Sequence, residues 1–135
     1  MIKTEVEYGA MWALRDKYAI VGTGYTDYSK NSGTTVLNLA TEACLNAVSD
    51  AGLTPEDIDG LVSFQFNDSV PAMSVAGAMG IEAAGYAVDI AGGGNAANLV
   101  VLNAIAAIEA GLAKNVLCYR AMNGRSGFRL GGSRD

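Results

Sequence analysis

Between Asn95 and Ala110 only Asn95, Asn98, Asn103 and Glu109 are polar. A helix that is apolar almost all round must be covered on more than one side. In a lone doubly wound domain a helix lies on one face of the sheet and keeps a wet side. This stretch therefore predicts a helix that expects a second layer, from a second domain or a second subunit. What precedes it adds a constraint. In "DIAGGGNAANLV", Asp89 to Val100, a strand-like run passes through three glycines directly into the helix.

The remainder alternates in the same way. "YAIVGTG" (18–24) reads as a buried strand, "GLVSFQF" (60–66) as a second, "GYAVDIA" (85–91) as a third and "KNVLCYRA" (114–121) as a fourth. Val36, Leu39, Ala40, Ala43, Ala47 and Val48 have helical spacing within 34–52, and Gly52 fits the C′ position. Thr54 and Pro55 suit the cap and first position of a short turn. Asp68 or Ser69 is a candidate cap for a helix over 71–79 closed by Gly80. Alternation of this kind implies parallel strands joined by crossovers, an α/β fold. Residues 1–17 read as a leader segment and 122–135 as a glycine- and arginine-rich loop.

Composition removes several function classes. There is no histidine among 135 residues, which excludes Ser–His and Cys–His triads and most zinc sites. A net charge of −5 argues against nucleic-acid binding. Cys44 and Cys118 both fall inside predicted elements, which suits reduced thiols and a cytoplasmic location. No apolar run is long enough for a membrane span.

Two glycine turns need weighing. "GTGYTD" (22–27) lacks a dinucleotide fingerprint, because Asp27 stands at the third glycine position and no helix follows at once. It reads as a structural turn. "GGGNAANL" lacks the Lys-Ser/Thr of a P-loop. Its helix N-terminus offers N–H groups and a dipole to an anion or a developing oxyanion. The alternative is that Gly92–Gly94 only permit a crowded turn.

Together with "AIVGTGYTDYSK", "EACLNAVSDAGLTPEDIDGLV", "AIEAGLAKNVL" and "NGRSGFRLGG", this turn resembles the N-terminal half of the thiolase superfamily, more closely its lipid-transfer-protein branch. The resemblance runs from about residue 18 to the end. It implies a β-α-β-α-β-α-β half over 18–121, mostly parallel, with one central helix buried between two sheets, and a C-terminal half that is absent here. In true thiolases a catalytic cysteine opens that helix. Counting back from Gly111 places its position at Gly94, where no cysteine or serine stands. The acyl-cysteine route is therefore closed at this turn.

The branch includes retro-aldolases that cleave β-hydroxyacyl-CoA intermediates of steroid side chains beside a DUF35-type (OB-fold) partner. The resemblance so implies an acyl-CoA lyase in lipid metabolism, with coenzyme A entering only as part of the substrate. Backbone N–H groups at Gly94 and Asn95 would polarise the thioester oxygen. Gly92, Gly93, Asn123, Arg125 and Arg129 would line the substrate and CoA site. Homodimerisation is expected through the strand at 83–90. The alternative is a non-catalytic acyl-CoA-binding pseudo-thiolase. The arginines at 120, 125, 129 and 134 are equally consistent with loop salt bridges, Asn123 with a turn, and Asp89 with capping helix N–H groups.

Overall fold

The structure, a computed structural model, describes residues 14–127. Most of the expected leader and the stretch containing Arg129 lie outside the described residues.

Helix α1 spans Val36–Asp50. Thr35 caps it by accepting the Asn38 N–H through Oγ1 at 3.1 Å. It buries Ala40, Cys44 and Val48, one residue per turn on one stripe. Gly52 follows at φ +69°, the left-handed conformation that ends helices without a Cβ penalty. A short 3-10 turn at Pro55–Asp57 comes next, in which Thr54 N–H and Oγ1 both donate to Asp57 Oδ2.

Strand β1 (Gly60–Gln65) is the centre of the sheet. It pairs in parallel with β2 (Tyr86–Ala91) on one side and β3 (Val116–Tyr119) on the other, in the order β2-β1-β3. Its residues alternate between two cores. Leu61 and its β3 neighbour Leu117 join Cys44, Val48, Val75 and Tyr119 in the core beneath α1 and α2 (Ala72–Met79). Val62 points the other way, against Val100 and Ala104 of α3 (Ala96–Glu109), with Phe64, Tyr86 and Ile90 beside them. Leu61, Val62 and Ser63 are fully buried, as expected of a strand covered on both faces.

Two expectations need correction. Residues 18–24 form no strand. Strand structure requires a neighbour. Here a cleft of about 870 Å³, lined by 17–24, α1, α3 and 114–118, separates this extended segment from β3. The segment leans on α1 instead, and a Cβ at Gly22 or Gly24 would overlap the α1 backbone at Ala47 and Ala43. The glycines thus serve close approach, in keeping with a structural role.

Neither Asp68 nor Ser69 caps α2. Asp68 Oδ1 accepts the Phe66 N–H and Ser69 Oγ accepts the Ala121 N–H. The first N–H of α2, on Ala72, goes to Asp89 Oδ1 at 2.8 Å, and Ser63 Oγ donates to the same oxygen at 2.5 Å. Asp89 does cap a helix, but one that precedes it in sequence.

Finally, α3 is covered on one side only among the described residues. Ala96, Val100, Ala104 and Ala107 face the sheet, while Leu99, Val101 and Leu102 are 41%, 42% and 53% exposed. No helix among the described residues is long and apolar enough to cross a membrane.

One-sided burial makes α3 a test of the fold. Leu61→Ala should lower unfolding free energy by about 2–5 kcal/mol, the range for emptying a packed core site. Leu102→Ala should stay within about 0.5 kcal/mol in the isolated chain. Urea unfolding of both variants checks this, and equal losses would mean that α3's outer face is covered.

Candidate functional site

The carboxyl ends of parallel strands are where open α/β sheets bind ligands. Here that end carries the turn from β2 to α3. Gly92, Gly93 and Gly94 all have negative or extended φ, since the positive-φ glycines are Gly33, Gly52, Gly80 and Gly111. Backbone conformation therefore does not call for glycine at the turn. Packing calls for it only weakly. A Cβ on Gly92 would sit 3.2 Å from the Ala96 side chain, one on Gly93 would meet Asn95 Oδ1 at 3.8 Å, and one on Gly94 would meet nothing within 4 Å. The last two glycines leave room beside the helix start.

The helix start is electrostatically open. Asn95 is the N-cap residue but its side chain makes no capping bond, and the first turn holds no acidic residue. Ala96 N–H donates to Gly93 O and Asn98 N–H to Asn95 O. Among the described residues, the N–H groups of Gly94, Asn95 and Ala97 make no hydrogen bond. Uncommitted N–H groups at the positive end of a 14-residue helix are suited to negative charge.

The sequence-predicted site residues separate into two groups. Gly92, Gly93, Gly94 and Asn95 lie together at this turn. Asn123 lies after β3, and its side chain is committed to the loop before α1: Ser32 Oγ donates to Oδ1 at 2.9 Å and Nδ2 donates to Thr34 O at 2.9 Å. Its carbonyl also accepts the N–H groups of Ser126 and Gly127, so it shapes the turn. Arg125 is exposed in that turn. Arg129 lies outside the described residues.

Neither cysteine offers a nucleophile. Burial pushes the Cys44 thiol up to about 12, and loss of water pushes Cys118 up to about 11, its sulfur turned to Val100 O although the residue has exposed surface. No metal-holding group of His, Cys, Asp or Glu occurs among the described residues.

Sequence reading missed one constellation at the same end of the sheet. Arg120 follows β3, and its Nη2 lies 2.6 Å from Asp68 Oδ2. Its guanidinium stacks 3.9 Å over the Phe64 ring. Asp68 and Arg120 are 52 positions apart, so nothing local in the sequence pairs them.

The fold and this nucleophile-free turn define a thiolase-like protein. No family model matches the chain. It is 48% identical over 118 residues to the 17-hydroxy-3-oxo-4-pregnene-20-carboxyl-CoA lyase of Mycobacterium tuberculosis, covering 87% of this chain and 30% of that protein. It is 47% identical over 113 residues to a steroid side-chain-cleaving aldolase of Thermomonospora curvata, covering 84% and 29%. A solved Ltp2-ChsH2(DUF35) aldolase superposes with a TM-score of 0.76 at 47% identity, over 81% of this chain and 28% of that one. A monomeric SCP2-thiolase like protein type 1 from Mycobacterium smegmatis follows at 0.59 and 28% identity, over 73% and 22%. The chain belongs to the thiolase superfamily, in its lipid-transfer-protein branch. It spans about 30% of the length of the curated relatives it matches.

If Gly94 is spare room and not a backbone necessity, Gly94→Ser should fold with stability within about 0.5 kcal/mol of the parent. Gly60→Ser should cost clearly more, because a Cβ there would come 2.9 Å from Val116 Cγ2. Thermal unfolding of the two variants decides the point, and a large loss from Gly94→Ser would return the turn to a purely structural role.

Proposed function

We propose that this chain is the N-terminal part of a lyase that cleaves steroid or lipid side-chain CoA thioesters by a retro-aldol reaction. In that reaction the β-hydroxyl gives its proton to a base and becomes a carbonyl. The Cα–Cβ bond breaks, and its electron pair moves into the thioester as an enolate. Protonation at Cα then releases a ketone and a shorter acyl-CoA. No acyl-enzyme is needed, so the missing cysteine costs nothing.

The observation that supports this most is the turn itself: open space at Gly94 beside the unbonded N–H groups of Gly94, Asn95 and Ala97. Donors fixed in place beforehand stabilise charge where it develops, without reorganising during the reaction. A side-chain-free position next to them accommodates a branched alcohol carbon. The names of the relatives, a CoA-ester lyase and a steroid side-chain-cleaving aldolase, agree in substrate and bond type.

The solved aldolase pairs with a DUF35 protein, which favours a similar partner for the intact protein. A second copy is proposed at residues 83–90. Strand β2 there lies at the edge of the sheet, and its outer edge has no strand partner among the described residues.

Incubating the intact protein and a DUF35-type partner with a β-hydroxyacyl-CoA that bears a tertiary alcohol should yield a ketone and a short acyl-CoA by mass spectrometry. Binding without products would instead identify a non-catalytic acyl-CoA carrier. The 135-residue chain alone, at about 30% of the relatives' length, should release no product.

A further inference from the structure

The cleft beside residues 17–24 is framed on two sides by main chain. Strand β3 pairs with β1 on one edge, and its other edge has no strand partner among the described residues. Residues 114–118, which lead into and form most of that strand, line the cleft. Opposite them stands the extended stretch 17–24. Its ties run elsewhere: the Tyr18 hydroxyl donates to Glu109, and Thr23 N–H donates to Asp50 Oδ2. The main-chain groups of residues 18–22 bond to no described residue. Ile20 and Val21 are apolar, yet 79% and 66% exposed. Two unpaired main-chain rows facing each other are the pattern of a sheet with a strand left out.

The other two walls are apolar. Val48, Leu53 and Ile58 close the α1 side, and Val101, Ile105 and Ile108 the α3 side. This layout discriminates among occupants. A helix, about 10 Å across, would leave both main-chain rows unpaired. A lipid-like small molecule would match the apolar walls but not the rows. A strand matches both, with N–H and C=O groups along its two edges and side chains alternating between the α1 and α3 sides. Its size agrees as well. Five residues of strand, about 16 Å long and about 4.8 Å wide in a layer about 10 Å deep, fill about 800 Å³. The cleft measures about 870 Å³ and runs along residues 114–118.

We infer that this cleft is the seat of one β-strand contributed by the part of the protein outside this chain. The inference rests on the reading of the chain as an N-terminal part, and not on the retro-aldol chemistry. The chain spans about 30% of the length of its curated relatives, so most of such a polypeptide is available to supply the strand. A second copy is a poorer donor, because each of its described strands is already paired in its own sheet. The inserted strand joins residues 18–24 to β3 through itself. It thereby makes 18–24 the strand that its composition predicts. Its own side chains are apolar on both faces, as in other strands covered from both sides.

Hydrogen exchange on the intact protein is the first test. Amides of residues 18–22 should exchange at least about 100-fold more slowly than in an unstructured chain. Exchange at the unstructured rate would overturn the inference. A benzophenone-bearing amino acid in place of Ile20 then identifies the neighbour by photo-crosslinking. The expected product links position 20 to a segment of the same polypeptide outside residues 1–135. A link to a second copy, or to residues 114–118, overturns the inference: the first puts another subunit in the cleft, and the second means that 18–24 closes on β3. If the substituted protein fails to fold, exchange in the unmodified protein still decides. No substrate enters the experiment, so an inactive protein leaves its outcome intact. A mass equal to that of this chain alone, 13.9 kDa, would overturn the N-terminal reading and the inference together. Unprotected amides in a longer protein would overturn the inference alone.

Discussion

Strand β1 is paired on both edges and covered on both faces, and the rest of the molecule is arranged around it. Leu61 and Val62, adjacent in sequence and both fully buried, point into different cores. The period of two in a strand forces this separation, and with it the placement of α1 and α2 on one side and α3 on the other. Polar ties then fix how the helices meet the strand ends. Ser63, two residues after Leu61 on the same face and fully buried, donates to Asp89, which also receives the first N–H of α2. One carboxylate oxygen thereby joins β1, β2 and α2. Tyr119 extends the same side, donating to Val70 O at 2.7 Å, and burial raises its phenol above the usual range.

The structural carboxylate lies on the α2 face of the sheet, so the α3 face at the same end does not carry that charge. Asp89 precedes the glycine turn by only three residues, but the alternation of the strand turns it away from α3. The negative charge nearest in sequence is thus engaged elsewhere, and the first turn of α3 has no acid of its own. The only carboxylate described beside Arg120 is Asp68, which is tied to a guanidinium and a backbone N–H. The positive end of the α3 dipole therefore has no acidic side chain in its first turn to offset it, an arrangement suited to negative charge.

Local patterns were legible in the sequence and non-local ones were not. The stripe of α1, its Gly52 terminus and the three paired strands follow from periodicity and turn chemistry within short windows. The glycine run was visible too, but its meaning depended on φ values that no glycine count contains. Residues 18–24 have the composition of a strand, yet pairing is a property of what lies beside them, and there the cleft intervenes. The cap of α2 comes from Asp89, 17 positions from Ala72, and the partner of Arg120 from 52 positions away. Such distances leave no local pattern. The all-round apolar character of α3 correctly announced a demand for cover, and the described chain meets that demand on one side.

Gly22 and Gly24 set a dimension of the molecule. They press backbone against backbone on α1, with only the Ala51 methyl beside the contact at Gly22. The distance of residues 22–24 from the α1 axis is then set by main-chain contact, while the packing of Cys44 and Val48 against Leu117 sets how far α1 itself stands from β3. A side chain at either glycine would push the segment off α1 and toward the cleft, so these two positions hold the cleft open from one side.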